Sequence, residues 1–320
     1  MFGTLWNRRA VRVAVVVLVA LSAQGCGGGG DSPAAEPAAA PSEAGGDFPV
    51  TLASATGKVT LEERPERIVS LSPTATEMLF AIEAGDQVIA ADDNSNFPAD
   101  APTTELSGFE PNVEAIADHD PDLVVVSSTG QVVKALTTLG IPVLVQPAAA
   151  DLNDSYEQIS QLGIATGHET EAEGLVDSMR TEIEEIVSSV PEFDNEPTYY
   201  HELDDAFFTV TSDTFIGQIY SLLGLRNIAD RAQGAESGYP QLSVEYIVDA
   251  DPDLIFLADT KCCDQSQETV AKRAGWDHIS AVENEAVVEL DDDVASRWGP
   301  RVVDFLRTVA AELEELEEAA

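Results

Sequence analysis

Two glutamates occupy equivalent places in a duplicated segment, and a pair of carboxylates held apart on a common frame is the first chemistry this chain offers. Val113-Glu-Ala-Ile-Ala-Asp-His-Asp-Pro-Asp-Leu-Val-Val-Val126 returns 131 residues later as Val244-Glu-Tyr-Ile-Val-Asp-Ala-Asp-Pro-Asp-Leu-Ile-Phe-Leu257, with eight of fourteen positions identical. Asn112 and Ser243 precede the two copies and carry the side chains of helix N-caps, which puts Glu114 and Glu245 in a first helical turn. A carboxylate there gains about 0.3–1 kcal/mol from the helix dipole, a purely local role. The preceding loops are duplicated too, as Ser107-Gly108-Phe109 and Ser237-Gly238-Tyr239. One exposed carboxylate on each of two similar halves makes a two-point socket for a partner's arginines.

Other groups suit a ligand between those halves. Phe97, Phe109, Tyr239 and Trp298 fall in loops at strand ends instead of in periodic apolar patterns. Core packing is the commoner use of an aromatic, but rings so placed offer a flat ligand about 0.5–1.5 kcal/mol per contact beyond area burial. Arg297 adjoins Trp298 in a chain with 16 Lys and Arg against 58 Asp and Glu. It suits a ligand carboxylate or phosphate, or else a local ion pair with one of Asp291 to Asp293. The Ser72-Pro73 turn completes the expected ligand contacts. Cys262 and Cys263 are adjacent, which leaves a vicinal disulfide, a reduced pair, or a contact to a soft metal or corrin open. His119, His168, His201 and His278 lack metal-ligand spacing, so no metal site and no resident cofactor are expected, and His201-Glu202 reads as a strand end. Gly-x-Ser-x-Gly, a Gly-rich phosphate loop and His-Glu-x-x-His are all missing. A binding protein is therefore expected, with an exported metal-dependent or redox enzyme using Cys262, Cys263 and His201 as the rival class.

Positioning these groups takes alternating strands and helices. Residues 68–71, 88–91, 123–126, 143–145, 207–210 and 254–257 are short, non-alternating apolar runs broken only by Ser70 and Thr209, the pattern of strands buried in parallel sheets. Thr74-Ala-Thr-Glu77 has the form of a capping box at a helix start. Thr170-Glu-Ala-Glu173 opens a longer helix whose Leu175, Met179, Ile183, Ile186 and Val190 recur at helical spacing before Pro191. The expected fold class is α/β: two lobes, each a mostly parallel sheet with flanking helices, joined by one long backbone helix. The boundaries read as an N-terminal lobe over 58–168, a linking helix over 169–191 and a C-terminal lobe over 192–320. A repeat period of 131 residues is far beyond the roughly 20–50 of solenoids and propellers, and a cleft between two lobes is where ligands bind.

The N-terminus supplies an address. Arg8, Arg9 and Arg12 flank an apolar run over 13–23 that ends in Gln24-Gly25-Cys26, which reads as a secretory signal over 1–25. That run is shorter than the roughly 20 residues of a membrane-spanning helix. Cys26 is the expected lipidation site, and 26–57, rich in Gly, Ala, Pro, Glu and Ser, is expected to be a flexible tether. The expected location is extracytoplasmic, lipid-anchored to the cell membrane, which favours a Cys262–Cys263 disulfide. A net charge of −42 argues against nucleic-acid binding, and a monomer is expected.

From Arg67 onward the chain resembles the periplasmic solute-binding components of ABC importers for cobalamin, iron siderophores and haem. Arg67-Ile-Val-Ser-Leu-Ser-Pro-Thr-Ala-Thr-Glu77, Asn112-Val-Glu-Ala-Ile116, Asp120-Pro-Asp-Leu-Val124, Leu139-Gly-Ile-Pro-Val143, Gly238-Tyr-Pro-Gln-Leu-Ser-Val-Glu245 and Gly299-Pro-Arg301 carry the likeness, in that order. The resemblance implies that Glu114 and Glu245 dock on arginines of the permease. The segment from Tyr239 to Glu245 is similar to a Trp-Pro-Gln segment of the cobalamin-binding branch, with Tyr239 for the tryptophan, and Phe109 likewise stands where a tryptophan lines the corrinoid site. What this implies is capture of a corrinoid or similar bulky metal complex for delivery to the permease, with a ferric siderophore or haem as the alternative ligand.

Overall fold

Residues 68–71, 123–126 and 254–257 have no exposed member, and strands without an exposed residue must be covered on both faces. The computed structural model describes residues 48–319, so the signal segment and Cys26 lie outside the described residues. Its strands are β1 (Val50–Ser54), β2 (Gly57–Leu61), β3 (Ile68–Leu71), β4 (Val88–Asp92), β5 (Thr103–Leu106), β6 (Leu123–Val126), β7 (Val143–Val145), β8 (Thr198–Glu202), β9 (Arg226–Asn227), β10 (Leu254–Leu257) and β11 (Val287–Glu289). The helices are α1 (Pro73–Ala81), α2 (Val113–Ala117), α3 (Gln131–Thr138), α4 (Leu152–Thr166), α5 (Glu169–Ser189), α6 (Phe215–Leu222), α7 (Val244–Ala250), α8 (Thr260–Cys263), α9 (Gln267–Ala271), α10 (Ser280–Glu283), α11 (Asp292–Ser296) and α12 (Val302–Ala319). One sheet has the order β5-β4-β3-β6-β7 and the other β11-β10-β8-β9, and every pairing in both is parallel. The expected two-lobed α/β class is the one observed.

Alternate residues of the central strands feed different cores, as a period of two requires. Val69, Leu71, Val124 and Val126 pack with Ile116 and Leu136 on one face of the first sheet, whereas Ile68, Leu123 and Val125 turn to the other. Ile255 and Leu257 pack with Trp276 and Ile247, whereas Leu254 and Phe256 turn away from them. The remaining faces of the two sheets share one continuous cluster with α4, α5 and α12. Within it α5 buries Ala172, Val176, Met179 and Ile183. Of the expected stripe Met179 and Ile183 are buried, Leu175, Ile186 and Val190 pack partly buried against the cluster, and Ala172 and Val176 lie outside the expected set. The halves therefore hold a common core and form one compact unit.

Four expectations need correction. The tether does not run to residue 57, because β1 pairs antiparallel with β2, its Leu52 is buried, and Ser54 and Ala55 bond to Val145. Nor is 207–210 the first strand of the second half. That strand is β8, whose five residues are all buried, while Phe207 has φ 66°, a left-handed conformation that stops a bulky residue from continuing a strand. Helix α1 is capped by Ser72, whose Oγ accepts from the Ala75 N–H, not by Thr74; this frees Glu77 for another role. Helix α5 begins at Glu169, as the linking helix was expected to, but it follows His168 without a side-chain cap in place of the expected box at Thr170 to Glu173, and it ends at Ser189 and not at 191.

Replacing Met179, 2% exposed in the shared core, by alanine is expected to cost about 2–5 kcal/mol. A lower urea midpoint in equilibrium unfolding will report it, and an unchanged midpoint would show that α5 does not hold the halves together.

Candidate functional site

Duplication in sequence becomes duplication in geometry. Ser107 Oγ accepts from the Phe109 N–H at 3.3 Å and Ser237 Oγ from the Tyr239 N–H at 3.1 Å, so the same turn presents each aromatic. Asp120 and Asp251, equivalent in the repeat, both adopt φ 47°, a conformation that aspartate tolerates. Asn112 Oδ1 accepts from the Glu114 and Ala115 N–H groups, and Ser243 Oγ from that of Tyr246. Both expected N-caps are thus in place. Behind them Ile116 and Ile247 are fully buried, which orients each short helix, while Glu114 and Glu245 are exposed and neither has an ion-pair partner among the described residues.

Phe109 is 87% and Tyr239 51% exposed. The loop carrying Phe109 lies across the carboxyl ends of β3 and β4, and at Gly108 a Cβ would come within 2.5 Å of Asp92 Oδ2 and 2.9 Å of the Leu71 carbonyl. Only glycine allows that approach. The loop carrying Tyr239 runs beside the segment that leaves the carboxyl end of β8, with Thr211 N–H bonded to Gly238 O and Thr209 N–H to Pro240 O. Burial pushes the Asp92 carboxyl at the end of β4 above the usual range.

Carboxyl ends of the two sheets meet through a buried ion pair. Glu77, 3% exposed on α1, accepts at Oε1 from Arg297 Nη1 at 2.7 Å and from Arg301 Nη2 at 2.5 Å, and at Oε2 from Arg301 Nε at 2.9 Å. Arg297 also donates to Asn96 Oδ1, the Asn94 carbonyl and Asp293 Oδ1, and Asn96 donates to Asp293 Oδ2. The loop after β4 is thereby joined to α11 and the start of α12. Burial opposes the charge of Asp293, but Lys261, Asn96 and Arg297 outweigh it and hold its carboxyl below the usual range.

Expected ligand contacts therefore divide. Phe109 and Tyr239 are free. Phe97 is 44% exposed with the Arg301 guanidinium 4.3 Å above its ring. Arg297 takes the other reading open to it, an ion pair with Asp293, and adds Glu77, so its donors serve the protein. Trp298 is half-buried, its indole N–H given to Gln158 Oε1, and Ser72 is buried as the α1 cap with Pro73 following it. Sequence reasoning missed Glu77 and Arg301. Their signal was a glutamate beside the apolar Met78 and Leu79 and an arginine directly after Gly299-Pro300, in a chain poor in cations.

A second buried polar group lies at the carboxyl ends of β8 and β10. Cys262 and Cys263 form a vicinal disulfide on α8. Beneath it the Asp259 carboxyl has no hydrogen-bond partner, and burial first, then Glu202, pushes it up to about 7. Arg273 clamps both oxygens of Glu202. His201 donates to or accepts from Tyr220 Oη through Nδ1; burial pulls its imidazole down to about 3, so it is neutral in ordinary buffers. Among the described residues no group of three or more His, Cys, Asp and Glu is arranged to hold a metal ion. A groove of about 550 Å³ lined by Tyr156, Glu173 and Arg180 lies between α4 and α5, apart from all these residues.

Residues 68–294 match the model of a family described as periplasmic binding protein. The chain belongs to the periplasmic binding protein family. It is 30% identical over 315 residues to an uncharacterized ABC transporter substrate-binding lipoprotein, YvrC, of Bacillus subtilis (strain 168), covering 95% of this chain and 96% of the relative. It is 30% identical over 273 residues to a cobalamin-binding protein of Halobacterium salinarum, covering 82% of this chain and 73% of the relative. Among solved structures, a possible iron-binding, periplasmic solute-binding protein of Staphylococcus epidermidis ATCC 12228 superposes with a TM-score of 0.68 at 26% identity, over 78% of this chain and 99% of that one. The chain is thus a substrate-binding protein of the ABC-transporter kind.

Removing one side of a buried charge pair costs about 3–5 kcal/mol, because the partners left behind stay desolvated. Glu77→Ala strands two arginines, and a fall of that size in unfolding free energy by urea titration is the expected outcome. Wild-type stability in the variant would mean that the seam does not depend on this carboxylate.

Proposed function

We propose that the protein is a lipid-anchored extracytoplasmic capture protein that takes up a corrinoid, or a bulky metal complex of similar shape, and hands it to the transmembrane subunits of an ABC importer. It acts as a monomer and catalyses nothing. The observation that carries this reading is the pair of exposed aromatics, Phe109 and Tyr239, presented by the same serine-anchored turn beside the carboxyl ends of the two sheets. Large exposed rings cost free energy unless a partner covers them, and two from duplicated loops suit a flat ligand. A relative named as a cobalamin-binding protein supports the corrinoid. The ferric siderophore is the second reading, favoured by a structural neighbour described as possibly iron-binding.

The capped glutamates serve the other partner. Glu114 and Glu245 are exposed, free of ion pairs among the described residues, and sit in first helical turns capped by Asn112 and Ser243. Two carboxylates on one rigid unit are suited to a pair of arginines on the importer, and each half contributes one.

Cyanocobalamin, haem and ferric hydroxamates titrated against intrinsic tryptophan fluorescence test the ligand. One-to-one binding tighter than about 10 μM, roughly −7 kcal/mol, is expected for cyanocobalamin, and weaker binding of all three would remove the reading. Phe109→Ala and Tyr239→Ala should each weaken it by about 1–3 kcal/mol without lowering the melting temperature; unchanged affinity would make these rings bystanders. In reconstituted transport, the Glu114→Ala, Glu245→Ala double variant should keep its solute affinity within a factor of about two yet stop delivery, since truncating one side of a buried interfacial charge pair costs about 2–5 kcal/mol. Delivery at the wild-type rate would reduce both glutamates to helix-start electrostatics.

A further inference from the structure

The Cys262–Cys263 disulfide is a poor structural staple. A disulfide stabilises mainly by closing a loop in the unfolded chain, and the gain shrinks with loop length. Between neighbours in sequence there is almost no loop to close. The bond instead completes a small ring that includes the intervening peptide, with α-carbons 3.8 Å apart, inside the roughly 4.4 Å lower limit of common disulfides. Cys262 is exposed and Cys263 half-exposed, and exposed disulfides are the labile ones.

What the ring is attached to sets its consequence. Asp292 accepts from the Lys261 and Cys262 N–H groups and from the Thr260 hydroxyl. Lys261 Nζ reaches Asp291 at 2.9 Å and Asp293 at 2.8 Å. Asp293 in turn holds Arg297, and Arg297 holds Glu77 of the other half. A continuous chain of charged contacts thus runs from the disulfide to the seam. On its inner side the ring rests on Asp259, whose carbonyl accepts from the Cys263 and Gln265 N–H groups and whose buried carboxyl has no partner.

We propose that Cys262–Cys263 is a thiol–disulfide exchange site through which an extracytoplasmic dithiol adjusts the seam between the halves and, with it, ligand affinity. A thiolate of the dithiol attacks the exposed Cys262 sulfur; the S–S bond breaks and Cys263 leaves as a thiolate that takes up a proton. The second thiol of the reductant then attacks the mixed disulfide and releases Cys262. One dithiol becomes a disulfide, and two electrons and two protons pass to the pair. The affinity effect rests on the ligand reading above, whereas the exchange itself does not.

The test treats the folded protein with dithiothreitol, alkylates it with iodoacetamide and maps the peptide that holds both cysteines, with cyanocobalamin affinity and amide hydrogen exchange followed in parallel. Two carbamidomethyl groups are expected at dithiothreitol concentrations that leave the circular dichroism unchanged, together with an affinity change of about fivefold, the low end of ordinary coupling between sites. The Cys262→Ser, Cys263→Ser double variant should hold the reduced-state affinity and ignore the reductant. Lys261→Ala should still be alkylated but lose the affinity response. A pair that reacts only after unfolding in urea overturns the proposal, as does full reduction with unchanged affinity. If cyanocobalamin binds neither form, the ligand reading fails separately and exchange at residues 93–98 and 291–297 decides: faster exchange on reduction supports the site, and identical exchange sinks it.

Discussion

A carboxylate buried between two guanidinium groups holds this molecule in register. Glu77 on α1 meets Arg297 and Arg301 from beyond residue 290, and no one of the three charges could stay desolvated alone. The pair cannot form unless the carboxyl ends of β3 and β4 face the segment that follows β11. It therefore specifies which edges of the two sheets meet, a matter that the shared apolar core, being non-directional, leaves open. Asn94, Asn96 and Asp293 close around the same guanidinium, so the loop after β4 is held in part by electrostatics.

Around that pair the molecule divides its labour. The shared core with α4, α5 and α12 makes one body of two sheets, which favours small movements at the loops over large swings of one half. Exposed aromatics and exposed glutamates then occupy different parts of each repeat, the rings on serine-anchored turns and the carboxylates in the first turns of α2 and α7. On the proposed function, a ligand and a docking partner are engaged together through different side chains, and duplication of both devices provides that on each half.

Much of this was legible in the residues. Strands β6, β7 and β10 are uninterrupted apolar runs and β3 is broken only by Ser70, and α2 and α7 follow cap residues with few alternatives, so pattern and local chemistry determine them. Where reading by pattern failed, a longer-range contact had won. Only the end of β8, His201-Glu202, was legible as strand, and these two polar residues stay buried in it because Tyr220 and Arg273 arrive from elsewhere in the chain. Glu77 fits a capping box by spacing, yet its partners lie 220 and 224 residues away. Arg297 was open to two readings, and Glu77, which decides between them, is invisible to local pattern.

On the proposed function, the ligand sits where the two sheets' carboxyl ends meet, against the duplicated aromatics and with the buried ion pair intact. A crystal structure with cyanocobalamin bound tests it most directly. It should show the corrin in contact with Phe109 and Tyr239 while Arg297 and Arg301 remain on Glu77. A corrin seated instead in the groove between α4 and α5, or one that draws Arg297 off Glu77 to bind it, would contradict that placement.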